Sequence, residues 1–349
     1  MAEKVYTVAI AGMGKRGTHH AEAVARNPRL RLVGLCDIDP ARLEAARQTF
    51  GVEYVSTDAA QMLQDTRPDV FMFCTLPQVR LPMIRAGVEA GVKMIAFEKP
   101  IALSMTEALE MFALTRAAGV KTVVSHQHRY GEHYQKVKEI IASGAIGRVH
   151  TVYGHSIGWM MHMMTHLIEY ASWYNDYAEP VWVVGQAFGV EKFSDSHSSP
   201  DYIAALVQYS NGVRGIFECG AEAPDVPEVD SMWHKCRIGA QGTEGFAEVL
   251  TGKEGKGGGW RAVTRNGFQS GPGYMDYAHD MPPYIQDMVA WLDDDRNVHP
   301  CNGETALKGF QVMMAAMRSV VRRGKVTLPL GPGEPELEAL QRVLSANGG

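Results

Sequence analysis

Val5-Tyr6-Thr7-Val8-Ala9-Ile10-Ala11-Gly12-Met13-Gly14-Lys15-Arg16-Gly17 is the stretch that decides the fold of this chain. Val5–Ala11 is a continuous apolar run of strand length, and Lys15–Arg26 behind it has helical character. Between them stands GxGxxG. Alone that pattern is weak in a chain with 36 glycines. Set between a first strand and the helix it opens, it is specific. Gly12 permits the tight turn, Gly14 lets backbone approach a pyrophosphate, and Gly17 lets helix and strand pack closely. The helix N-terminus then offers N–H groups and a positive dipole end to phosphates. Leu30–Cys36 is a second apolar run, and Asp37 ends it, 20 residues after Gly17. A carboxylate there accepts hydrogen bonds from ribose hydroxyls and repels a 2′-phosphate. Ile38 and Asp39 bring no basic partner, so the expected cofactor is NAD rather than NADP. Gly12, Met13, Gly14, Lys15, Arg16, Gly17 and Asp37 are its expected contacts.

Working outward, Asp39 reads as an N-cap and Pro40 as the first position of a helix over Pro40–Phe50. Asp69–Cys74, Met94–Phe97 and Thr122–Ser125 are further short apolar runs, with helical patterns at Val79–Ala90 and Met105–Ala118. Strands spaced by helices of this length predict a parallel sheet covered on both faces. The pattern changes near residue 127. After helices at Tyr134–Ser143 and Met163–Tyr174 and a strand at Arg148–Ser156, strand-like runs follow one another. They are Val181–Phe188, Tyr202–Tyr209, Val213–Cys219, Trp233–Ile238 and Gly245–Leu250, and Asn211-Gly212 is a hairpin signal. Gly252–Gly259 and Asn266–Gly273 read as loops, and late helices are expected at Met281–Asp293, Thr305–Arg323 and Pro335–Leu344. The expected organisation is an α/β Rossmann domain over 1–126. An α+β domain with a large, mostly antiparallel open sheet follows over 127–349.

Composition narrows the function class. The chain has 349 residues, a net charge of −5, 46% hydrophobic and 21% charged residues, five cysteines and 13 histidines. That is ordinary for a globular protein of about two domains. An acidic balance argues against nucleic acid as a partner, because phosphate binding usually needs a basic field. No apolar run reaches the roughly 18 residues that crossing a bilayer requires. An odd cysteine count without CxxC reads as reduced thiols in the cytoplasm.

Farther along, Glu98-Lys99-Pro100 follows the short run Met94–Phe97, downstream of GxGxxG and of Cys74-Thr75-Leu76-Pro77. In this order the motifs resemble the Gfo/Idh/MocA family of NAD(P)-dependent sugar and polyol oxidoreductases. Arg129-Tyr130, Ser143–Arg148, His166-Leu167-Ile168-Glu169 and the late run from Gly303 to the closing GKVTLPL are similar to it as well. The resemblance implies an active site between the domains and oligomer contacts, dimeric or tetrameric, through the open sheet face. It adds Thr75, Leu76, Glu98, Lys99 and Gln127 to the cofactor contacts. It makes Lys99 and His166 catalytic. An ammonium near the hydroxyl lowers its pKa, and an imidazole exchanges protons near neutrality.

The chain departs from that family at three positions. His162 stands where an Asp is typical, four residues before His166; Leu81 replaces a frequent histidine; Gln127 stands near a common asparagine. His162 is kept with Lys99 and His166 as a catalytic candidate. Arg129, His155 and Trp159 join these three as candidate substrate contacts, Arg129 being equally suited to a structural ion pair. Two histidines at i and i+4 could also hold zinc, but a third ligand is not evident and no metal is expected.

Three functions remain open at this level. The leading one is hydride transfer between a secondary alcohol of a sugar, glycoside or cyclitol and NAD. A second is glycoside cleavage through transient oxidation and elimination. A third is a nucleotide-dependent sensor without catalysis.

Overall fold

A computed structural model describes residues 3–346 of the chain. The first sheet is formed by β1 (Tyr6–Ala11), β2 (Leu30–Cys36), β3 (Val55–Ser56), β4 (Val70–Phe73), β5 (Met94–Phe97) and β6 (Lys121–Val124). Its order is β3-β2-β1-β4-β5-β6, and all its pairings are parallel. The crossovers run through α1 (Lys15–Arg26), α2 (Pro40–Phe50), α3 (Ala59–Thr66), α4 (Arg80–Glu89) and α5 (Met105–Ala117). β4 and β5 are buried at every position, as strands covered on both faces must be. The Asp39 cap is realised: its side chain accepts from the Ala41 and Arg42 backbone N–H groups, with Pro40 at the first position.

The second sheet has nine strands. They are β7 (Val149–Ser156), β8 (Pro180–Phe188), β9 (Tyr202–Tyr209), β10 (Arg214–Gly220), β11 (Cys236–Gly242), β12 (Gly245–Leu250), β13 (Gly259–Thr264), β14 (Gly267–Gly271) and β15 (Val326–Thr327). The order is β14-β13-β12-β11-β7-β10-β9-β8-β15. Every pairing is antiparallel except β7 with β10. The helices of this part of the chain are α6 (Glu132–Ala142), α7 (Met160–Tyr174), α8 (Tyr277–Asp293), α9 (Gly303–Arg322) and α10 (Glu336–Ala346).

One face of this sheet is covered. A Cβ on Gly154 of β7 would lie 2.8 Å from Leu167 of α7, and one on Gly185 of β8 would lie 2.3 Å from the Ala316 carbonyl of α9. Both glycines fall in one cross-strand row, Gly185–Ala205–Phe217–Gly154–Ile238. The adjacent row, Val184–Leu206–Ile216–Tyr153–Gly239, points to the other face, because successive side chains alternate.

The chain divides into two compact units, and the division is not a single cut. The first unit holds residues 1–102, 107–127 and 277–306; the second holds 103–106, 128–276 and 307–349. The first stretch ends at 127, beside the boundary expected from the sequence, but 277–306 returns to the first unit. The Tyr6 hydroxyl donates to Asp293 Oδ1 at 2.9 Å, Arg29 pairs with Asp293 at 2.8 Å, and the Val124 N–H donates to the Cys301 carbonyl at 2.9 Å. α8 buries Met281, Tyr284, Ile285, Met288 and Val289. The period of an apolar stripe tells that a helix is buried, not which unit buries it.

Local departures have equally simple causes. α7 begins at Met160 rather than Met163. The apolar run expected as a strand from Trp233 is a short 3-10 turn at Met232–His234, and β11 starts at Cys236. Asn266–Gly273 contains β14, an edge strand whose exposed Gly-Phe-Gln-Ser-Gly sequence lacks the apolar alternation that marks a strand. Among the described residues no helix is long and apolar enough to cross a membrane.

Candidate active site

The loop after β1 is shaped by steric necessity. Gly12 has φ +86°, and a Cβ there would lie 2.6 Å from the Cys74 carbonyl oxygen. A Cβ on Gly17 would lie 1.9 Å from the Gly12 oxygen. Gly14 differs: a Cβ there meets no described atom within 4 Å. Two glycines are therefore required by the protein itself, and the middle one faces open space. Gly14 is also the N-cap of α1, with no side-chain cap and no acidic residue in the first turn. The first-turn N–H groups and the dipole end suit an anion.

Asp37 is buried directly behind β2. Its Oδ2 accepts the Met13 N–H at 2.6 Å, and its Oδ1 accepts the Asp39 N–H at 2.9 Å. One carboxylate thus ties the glycine loop to the second strand. Each oxygen keeps acceptor capacity for a ribose hydroxyl. Lys15 is exposed, Met13 is buried, and Ile38 and Leu76 are large apolar side chains 89% and 53% exposed.

Arg16 is spoken for within its own unit. Its Nε and Nη2 donate to Glu98 Oε1 at 3.1 and 3.0 Å, and its guanidinium lies 4.2 Å over the Tyr277 ring. His20 Nε2 also reaches Glu98 Oε1, at 3.3 Å. Burial alone would raise the Glu98 carboxyl, but Arg16, His20 and the Lys99 ammonium outweigh it and hold it well below the usual carboxylate range. Burial lowers the His20 imidazole despite Glu98, which favours its neutral form. His20, Cys74 and Glu98 bring potential ligand atoms within 4.8 Å of one another. Burial also pushes the Cys74 thiol up, and a metal ion would compete with Arg16 for Glu98.

Lys99 follows Glu98 at the end of β5, half-buried, with a cis bond to Pro100. Its carbonyl accepts from Arg80 Nη2 at 3.1 Å, and the same nitrogen donates to the Thr75 carbonyl at 3.2 Å. Arg80 is 1% exposed and fastens the strand ends that carry Thr75 and Lys99. Burial depresses its guanidinium to about 10, which leaves it charged at neutral pH. Gln127 is buried in a 3-10 turn, Gln127–Tyr130.

The second unit presents its candidates along α7. Because the helix begins at Met160, His162, His166 and Tyr170 share one face at i, i+4 and i+8. His166 Nδ1 lies 3.3 Å from the Tyr170 hydroxyl, and the His128 ring sits 6.0 Å from the His166 ring. Tyr170 is 1% exposed and packs edge-on against Tyr134 at 4.9 Å. The Tyr170 hydroxyl, four residues after His166, is thus a hydrogen-bond partner for its ring.

His162 meets a ring cluster, 4.7 Å from His197 and 5.0 Å from Trp233. Trp159 is 5.6 Å from Trp233, and its indole N–H donates to Asp195 Oδ2 at 3.2 Å. Arg129 is buried: its Nη1 donates to the Tyr177 hydroxyl at 2.6 Å, Tyr177 donates to Glu169 Oε1 at 2.8 Å, and the guanidinium lies 4.5 Å over Trp173. His155 faces the side of the second sheet opposite α7. It stands next to Gly154 on β7, so it points away from α7, in register between Glu218 and Arg237 on the opposite sheet face. The strand leads to α7, but its odd positions do not.

Arg80, Tyr170, His197 and Trp233 were not singled out from the sequence. Only Tyr170 had a readable signal there, its i+4 spacing from His166.

Residues 6–126 match the model of an oxidoreductase family with an NAD-binding Rossmann fold. An uncharacterized oxidoreductase of Bacillus subtilis, YrbE, is 31% identical over 150 residues, 43% of this chain and 43% of that protein. The D-apiose dehydrogenase of Paraburkholderia graminis is 33% identical over 144 residues, 41% of this chain and 38% of that protein. The chain spans about two fifths of the length of these curated relatives. Over a longer span the likeness is one of fold. An Agrobacterium radiobacter oxidoreductase, solved with NAD+, L-tartaric acid and magnesium, superposes with a TM-score of 0.76 at 18% identity, covering 92% of this chain and 98% of that one. Residues 6–126 accordingly belong to the Gfo/Idh/MocA oxidoreductase family, as its NAD-binding Rossmann domain.

Proposed function

We propose that the chain is an NAD-dependent oxidoreductase acting on a secondary alcohol of a sugar, glycoside or cyclitol. The observation that carries this reading is the glycine loop. Gly12 and Gly17 are demanded by packing, while Gly14 faces open space at the start of α1, with Asp37 fastened behind it. That is a cradle which a Cβ at Gly14 would partly fill, and it fits a pyrophosphate. Gly12 to Gly17 would hold the phosphates, Asp37 the ribose hydroxyls, and Ile38 and Leu76 offer apolar surface nearby. When bound, NAD supplies the hydride acceptor.

The chain's own residues then manage the proton. Lys99, fixed through its carbonyl by Arg80, presents an ammonium that hydrogen-bonds the hydroxyl oxygen and favours the developing alkoxide. His166 takes the hydroxyl proton at Nε2, while its Nδ1–H donates to the Tyr170 oxygen. The carbon gives up a hydride, the oxygen gives up a proton, and a carbonyl remains. The D-apiose dehydrogenase among the relatives supports the sugar-like substrate class.

We infer, too, that the chain self-associates through its second sheet. Val184, Leu206 and Ile216 form one cross-strand row on the uncovered face and are 40%, 42% and 40% exposed. Sedimentation velocity should show a dimer or tetramer, and monomer alone sinks this part of the reading.

The activity is tested by incubation with NAD and a panel of sugars, glycosides and cyclitols, followed at the NADH absorbance band. Reduction with at least one of them is expected. No turnover with either NAD or NADP overturns the reading. A chromogenic glycoside cleaved without net NADH replaces it with redox-assisted cleavage.

A further inference from the structure

The rings around the start of α7 form a corner rather than a stack. The Trp159 and Trp233 planes meet at 80° and the His162 and His197 planes at 87°. Lys192 Nζ lies 4.9 Å from the Trp159 ring, and Asp195 receives the Trp159 indole N–H. Asp195 Oδ1 also accepts the His197 N–H at 2.9 Å, so Asp195 ties Trp159 to the segment that carries His197. Trp233 arrives from a separate turn and is 42% exposed although it touches two rings; Met232 beside it is 41% exposed. Large apolar side chains held in place yet left open mark a binding surface more than a core.

We propose that Trp159, His162, Lys192, Asp195, His197 and Trp233 form a subsite for a second sugar ring, so that the physiological substrate is a disaccharide or larger glycoside. The inference rests on the sugar-oxidoreductase reading above and deepens it. Three features select the occupant. The indole of Trp233, 42% exposed, offers apolar surface to the C–H face of a saturated ring. The ammonium and carboxylate at the edge suit ring hydroxyls, which an aryl group lacks. Finally, His162 lies one turn before His166 on the same face of α7, ~6 Å along its axis. That spacing is comparable to one pyranose ring, so a sugar reacting at His166 brings its neighbour to the corner. A free cyclitol has no neighbour to place there.

The test compares cellobiose, maltose, lactose and trehalose with the methyl glycoside of each reacting ring, by NAD reduction. At least one disaccharide should exceed its methyl glycoside in kcat/KM by about tenfold, equivalent to about 1.4 kcal/mol. Trp233→Ala should collapse that ratio towards one, and Trp233→Phe should restore most of it. Equal losses on both substrates, an unchanged ratio, or a preference for an aryl glycoside over every disaccharide overturns the proposal. If no sugar is oxidised, calorimetric titration of the same disaccharides into the protein with NAD still decides. Binding that is lost in Trp233→Ala and kept in Trp233→Phe supports the subsite while the redox reading falls, and no binding refutes the subsite itself.

Discussion

The two units build their candidate sites from different material. In the first unit the site is mostly backbone: a glycine loop, a helix N-terminus and a carboxylate that fastens them. In the second unit it is mostly side chains, drawn from α7 and from turns far away in the sequence. A backbone site tolerates almost no change of shape, because a main-chain clash cannot be relieved by choosing another rotamer. A side-chain site can be rebuilt residue by residue while the strands beneath it stay in place.

The largest expected effect exploits that difference. Gly17→Ala pushes a methyl group against the Gly12 carbonyl, 1.9 Å away, and should cost more than about 3 kcal/mol of stability together with NAD binding. Gly14→Ala meets no described atom, so its melting temperature should stay near that of the parent while NAD affinity falls about tenfold or more. Thermal melts and NAD titrations read both. A Gly17→Ala protein that binds NAD normally would break the distinction between a packing glycine and a ligand glycine.

Next in size is the chemistry. Lys99→Met should lower kcat by about 10²–10⁴-fold, since it removes the ammonium that favours the developing alkoxide. His166→Asn should do the same, and combining the two should cost less than the product of the single losses if both act on one alcohol. Full additivity in that double-mutant cycle separates their roles.

A smaller effect is expected from Tyr170→Phe, which removes the hydroxyl 3.3 Å from His166 Nδ1 but keeps the ring packed against Tyr134. We expect kcat to fall about tenfold with KM nearly unchanged, a loss of positioning rather than of the reacting group. An unaffected kcat would show that packing alone orients the imidazole.

A separate effect is on stability against acid. Burial, with a minor contribution from His128, depresses the His133 imidazole to about 4. Burial, with Arg237, does the same to His155, to about 4. Both are neutral in the folded chain, and the unfolded chain takes up protons from about pH 6.5 downwards. The unfolded state therefore binds more protons between about pH 6.5 and 4, and stability declines across that window as pH falls. Each unit of depression is worth about 1.4 kcal/mol. His133→Leu should flatten the fall of the melting temperature between pH 7 and pH 4.5, and an unchanged slope assigns it to other groups.

Much of the first unit was legible in the sequence because its signals are local. Gly12, Gly14, Gly17 and Asp37 lie within one strand–loop–helix–strand segment, and Asp39 caps the helix that follows it. The Asn211-Gly212 hairpin was legible for the same reason, with Gly212 at φ +84° between antiparallel strands. What escaped was set by partners distant in sequence. Arg80 matters because it reaches the Thr75 and Lys99 carbonyls, and Trp233 because it meets His162. The register of one strand turned His155 away from α7 and put Gly154 against it. β14 lacked the apolar alternation that would have announced it.

The sequence by itself determined the Rossmann half, since the spacing of its strands, glycine loop and helices is a local property, whereas Lys99 and His166 stood out only through the family resemblance. Tertiary structure alone decided that 277–306 returns to the first unit, that the Tyr170 hydroxyl lies 3.3 Å from His166 Nδ1, and that His162 meets the His197 and Trp233 rings. Those outcomes depend on which faces of helices and strands meet. A face finds its partner through the packing of the whole chain, which no short stretch of sequence encodes.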